Sequence, residues 1–142
     1  MRISSALILL LFFSGCASNA FTVTLFRTAR TTGVTERYAV NEDALGTKTI
    51  ALPADSDSKP ATFAIDPKLV ANIHVLIMDS LASLAAIDLH DSSELTTGID
   101  IDARNTHKEI SWANVDPPKL TTPVLDSLYH IMLRVEAEMI SQ

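Results

Sequence analysis

The sequence predicts an α+β domain. The expected form is a two-layer sandwich, an antiparallel sheet of about four strands packed by two helices in the order ββα-ββα. Three observations predict it. Apolar and polar residues alternate with a period of two over 21–26 and 34–40, and again over 95–103 and 107–113. Two longer segments instead space their apolar residues three and four apart, and each opens on a capping residue followed by proline, Asp66-Pro67 and Thr122-Pro123. The length of 142 residues, with 47% apolar and 20% charged, suits one core of this kind and excludes a disordered chain.

In order, Phe21, Val23 and Leu25 alternate with Thr22 and Thr24 in the first strand. Residues 27–33 form a polar turn. Val34, Tyr38 and Val40 then alternate with Thr35 and Arg37, so the two strands are expected to pair as a hairpin. Residues 42–61 are expected to be a loop excursion with one short strand at 49–52, because 53–60 is rich in Pro, Ser and Asp. The first helix is expected over 67–87. Its stripe is Leu69, Ile73, Leu76, Ile77, Leu84 and Ile87, with Asn72, Asp79 and Ser83 opposite.

The second strand pair turns at Arg104-Asn105. Setting Asp102 opposite His107 places Ile99 opposite Ile110 and Thr97 opposite Trp112, so the apolar faces coincide. That register also sets Asp100 opposite Glu109, a like-charge pair tolerable on a wet face. Asp116-Pro117-Pro118 ends the strand. The second helix carries Val124, Leu128, Ile131, Met132, Val135 and Met139 on its stripe, and Asp126, His130 and Arg134 outside. No residue-level repeat links the two halves.

The start of the chain has a different character. Arg2 is followed by an apolar run from Ala6 to Phe13, then Ser14, Gly15 and Cys16. A short charged start, a short apolar run and a small-residue end describe a secretory signal. The run is shorter than the roughly 20 residues of a membrane span, and no later stretch is expected to stop transfer. Phe13-Ser14-Gly15-Cys16 resembles the lipobox of bacterial lipoproteins, with Phe13 where that family usually has Leu. The resemblance implies removal of residues 1–15 and acylation of Cys16, leaving 16–20 as a short acylated tether before a single domain over 21–142. It implies export and a lipid anchor in the bacterial envelope. Ala17 and Ser18 supply no acidic residue at the second mature position, which by the same resemblance points to the outer membrane.

Composition limits the function. The net charge is −6, and loss of Arg2 makes the processed chain one unit more acidic, so nucleic acid is not an expected partner. The single cysteine excludes an intramolecular disulfide and a cysteine zinc cluster. The chain has no G-x-S-x-G, H-E-x-x-H or P-loop. No catalytic residue is assigned and no enzyme is expected.

The candidate interaction site is Asp100, Asp102, His107 and Glu109, which the hairpin register sets on one polar face with Thr22, Thr24, Arg37 and Ser111. Carboxylates beside an imidazole suit a hard or borderline cation. The same residues also suit a solvated strand face, so no metal or cofactor is assigned. Asp88, His90, Asp91 and Glu94 read as turn-forming polar groups, and His74 as a boundary side chain of the first helix. Over about 21–135, the order of strand pair, helix, strand pair, proline and helix is similar to the emfourin family of metalloprotease inhibitors. The leader and the 42–61 excursion depart from that family, and no site residue carries over. The expected function is an envelope-anchored, non-enzymatic protein-binding module. The alternatives are a protease inhibitor of emfourin-like type or a metal- or ligand-binding domain using the acidic-histidine face.

Overall fold

In a computed structural model, residues 20–53, 59–114 and 123–142 are described. Cys16, the leader at 1–15, the Asp116-Pro117-Pro118 stop and the Thr122 cap lie outside them. The first hairpin joins β1 (Phe21–Ala29) to β2 (Val34–Asn41). β1 continues through the polar stretch at 27–29 because Arg27, on the inner face, meets Glu136 of the last helix. β3 (Leu45–Ala51) and β4 (Ala61–Ala64) follow, then α1 (Pro67–Ala85), β5 (Leu95–Ala103), β6 (Thr106–Ala113) and α2 (Pro123–Ser141).

The chain is thus α+β, but its sheet has six strands in the spatial order β4-β3-β2-β1-β5-β6, with every neighbouring pair antiparallel. The four-stranded sheet and the ββα-ββα order expected from sequence are both corrected to ββββα-ββα. The physical reason lies in the stretch expected to be a loop. The short strand expected at 49–52 overlaps the end of β3, which begins earlier, at Leu45; its first inner positions are Gly46 and Lys48, so no apolar alternation marks that start. A Cβ on Gly46 would meet Met139 Cε at 2.4 Å and Ile65 Cδ1 at 2.8 Å, so the bare backbone is what lets α2 pack there. Lys48 is held on that face by its ammonium over the Tyr38 ring, 5.3 Å from the centroid.

Both helices cover one face of the sheet and pack against each other. The core joins Val23, Leu25, Val40, Ile99, Ile101 and Ile110 from the strands to Ile73, Ile77 and Leu84 of α1 and Leu128, Met132 and Val135 of α2. α1 is long and apolar enough by length and composition to cross a bilayer. Its Ile73, Ile77 and Leu84 are nevertheless fully buried in this core, so its apolar stripe serves the domain. α2 buries a wider stripe than expected: Leu125 and Tyr129 are buried, whereas Val124 and Ile131 only pack at the margin. A helix wedged between a sheet and a second helix has two contact faces.

The start of α1 is capped as its sequence suggests. Asp66 Oδ1 accepts from the Lys68 N–H at 2.9 Å, Pro67 takes the first helical turn, and the Asp66 N–H donates to Glu138 Oε2 at 2.9 Å. Asp66→Ala is expected to cost about 1 kcal/mol, with Asp66→Ser recovering most of it. Thermal unfolding of the three chains checks this, and equal midpoints for Ala and Ser would count against the cap.

Candidate functional site

The second face of the sheet takes the alternate side chains. Cross-strand pairing sets His107, Asp102, Thr22 and Asn41 in one row and Glu109, Asp100, Thr24 and Ala39 in the next. A third row holds Ser111, Gly98, Phe26 and Arg37. The β5–β6 register agrees residue for residue with the one read from sequence, including Asp102 opposite His107 and Asp100 opposite Glu109. The turn explains its precision. Arg104 and Asn105 both have positive φ, 49° and 64°, the conformation of a two-residue type I′ turn that matches the twist of the strands.

The four candidate residues are not equivalent. His107 Nδ1 lies 2.8 Å from Asp102 Oδ1 and 3.4 Å from Asp100 Oδ1. A carboxylate only accepts, so Nδ1 carries the proton and donates to Asp102. Asp102 and His107 are well exposed, whereas the Asp100 side chain is only 21% exposed, and its buried Oδ1 accepts no hydrogen bond among the described residues. Glu109 faces Asp100 across the strands but does not join the histidine contact. Asp100, Asp102 and His107 can each offer one ligand atom, all within 4.8 Å of one another, a spacing one cation can bridge. Beside them opens a basin of about 740 Å³, lined in part by Phe21, Thr22, Glu42, Asp102, Arg104 and His107.

The hydrogen bond to Asp102, reinforced by the Asp100 charge, holds His107 above the ordinary histidine value. Burial pushes the Asp100 carboxyl up as well. A histidine whose folded pKa is raised contributes stability that is complete below its unfolded value of about 6.5 and lost as pH rises through the folded one. Asp100 acts with the same sign in the acid range. The urea midpoint is therefore expected to fall as pH rises from about 6.5 towards 8, and His107→Asn is expected to flatten that slope. An unchanged slope in the variant would remove the pairing from the account.

Sequence reasoning missed two features of this face. Phe26 lies on it, 6% exposed, with the Arg37 guanidinium 5.6 Å from the ring centroid. A Cβ on Gly98 would stand 2.3 Å from Phe26 Cζ, so glycine makes room for the ring. The adjacent Leu25-Phe26 pair was the signal, since two large apolar neighbours in a strand point to opposite faces. Asp91 is the second feature. Its backbone N–H donates to Ser111 Oγ at 3.0 Å, and its carboxylate accepts from Ser93 and Thr96, pinning the 86–94 loop across one end of the face. The hydrogen bonds from Ser93 hold that carboxyl below its ordinary range. His74 lies on α1, on the other side of the sheet, half-buried and 5.9 Å from the Phe21 ring, as its reading as a boundary side chain of that helix expects. His90 stands 3.7 Å from Asp88 as an exposed pair, in keeping with the turn reading of that loop.

No family model matches the chain, and no curated protein matches it. The likeness to emfourins rested on element order, and the order observed is ββββα-ββα.

Proposed function

We propose that the protein is an exported lipoprotein, held in the bacterial envelope by acyl groups on Cys16, whose domain binds a protein partner and catalyses no reaction. The outer membrane is the proposed site, from Ala17 and Ser18. The observation that carries the binding role is the one-sided sheet. Both helices pack on one face, and the other presents Thr22, Thr24, Arg37, Asp100, Asp102 and Glu109 outward. A sheet face of this width with three carboxylates on one half suits a partner segment that is basic there.

The test is in-cell photocrosslinking of the full chain, with a photoreactive residue at Thr24 and, separately, at Asp79 on the helix layer. The expected result is one dominant protein adduct from Thr24 and none from Asp79, lost when Asp100→Asn and Glu109→Gln are combined. Equal adducts from both positions, or no effect of the neutral variants, would overturn the reading. A metalloprotease as the adduct would turn it towards inhibition.

The ligand-atom spacing of Asp100, Asp102 and His107 favours a second reading, a divalent cation on the same patch. The cation would have to displace the 2.8 Å Asp102–His107 hydrogen bond. Calorimetric titration with zinc and manganese decides it: heat from the parent that His107→Ala removes supports the cation, and no heat from the parent ends it.

A further inference from the structure

We infer that one acyl chain of the lipid on Cys16 lies in an apolar groove of its own domain, between the start of β1 and α1. The inference rests on the lipoprotein reading above and names where that lipid goes. The groove has a volume of about 400 Å³, and its apolar lining is Phe21, Ala44, Pro67, Val70, Ala71 and Val75. Val75, 57% exposed, extends this apolar lining along the outer side of α1, where a hydrocarbon chain would cover it.

Reach selects the occupant. Four residues take the chain from Cys16 to Ala20, at most about 14 Å when fully extended, and the next residue, Phe21, lines the groove. A ligand on so short a tether competes at an effective concentration that a free molecule does not match. Releasing one chain leaves the anchor intact, because stable attachment takes two acyl chains and the processed cysteine of this class carries three.

Two polar side chains, Glu42 and His74, complete the lining. Glu42 Oε2 accepts from the Phe21 N–H at 3.2 Å, and the His74 ring lies 5.9 Å from that of Phe21, so both are engaged at the β1 end of the groove. The hydrocarbon covers Val70, Ala71 and Val75.

The experiment produces the full chain in a bacterial host supplied with a fatty acid bearing a diazirine. Membranes are irradiated and the digested protein is read by mass spectrometry. The expected result is a peptide from α1, within 67–75, joined to the Cys16 peptide through the acyl chain. Ala71→Trp, an exposed position outside the core, should abolish that link while circular dichroism stays unchanged. A 67–75 peptide carrying a phospholipid instead would overturn the assignment to the chain's own lipid. Label on Cys16 with no adduct on 67–75, or a link that survives Ala71→Trp, would overturn the groove and leave the lipoprotein reading standing. No label on Cys16 would overturn both.

Discussion

Trp112→Ala is expected to destabilise the domain by about 3–5 kcal/mol, a large part of the total stability of a domain this size. The side chain is 1% exposed on the inner face of β6, and its ring meets Tyr129 of α2 edge-on, with centroids 5.5 Å apart and planes at 89°. The substitution removes that aromatic contact and opens a cavity where β6 faces the helices. Trp112→Phe should lose much less, because most of the volume and an edge-to-face contact persist. Urea unfolding followed by circular dichroism checks both variants, with a lower midpoint and an unchanged slope expected for Ala. A loss below about 1 kcal/mol would mean that the site collapses around the gap, and the packing described here would be wrong.

The second large effect is expected at Arg27 and Glu136. Two hydrogen bonds, of 2.5 and 2.8 Å, join the guanidinium fork to the carboxylate, and the side chains are 21% and 14% exposed. The hydrogen bonds from Arg27 to Glu136 raise the Arg27 pKa further, so the cation persists at every accessible pH. Glu136→Ala leaves that cation under α2 without its partner. The expected cost is about 3 kcal/mol, at the low end for a buried pair because some solvent reaches it. Arg27→Met combined with Glu136→Leu should recover most of the loss, since an apolar pair leaves no stranded charge. A double variant no more stable than Glu136→Ala would show that the ion pair does more than satisfy itself.

These two sites also show what was legible in the sequence. Trp112 was read as inward because Ile110 and Ile99 fix the phase of their hairpin, and the structure buries it. The same local phase gave the Asp102–His107 and Asp100–Glu109 pairings of the candidate face. Arg27 was read as a turn residue, because its inward direction depends on Glu136, 109 positions later. β3 was read only in part, as a short strand at 49–52, whereas it begins at Leu45. Its first inner positions are Gly46 and Lys48, set against Met139, Ile65 and Tyr38, so an apolar inner residue comes only at Ile50. β4 is four residues long, too short to carry a pattern. Local alternation thus specified the strands whose inner faces are apolar. It failed where distant side chains fill the space.

The depth of Asp100 was likewise illegible. Asp100 and Asp102 both lie on β5 between β1 and β6, but Asp102 is one residue from the strand's end at the turn, whereas Asp100 lies two residues further into the sheet. That difference leaves Asp100 Oδ1 buried and Asp102 exposed to pair with His107.

Acylation of Cys16 is the central step of the proposed lipoprotein, and the intact mass of the full-length product tests it directly. The chain would be produced in a bacterial host, extracted from the membrane fraction and weighed. The expected product begins at Cys16 and carries a diacylglyceryl group on sulfur and an acyl group on nitrogen. A chain that keeps residues 1–15, or one that begins elsewhere with Cys16 unmodified or lost, would contradict it.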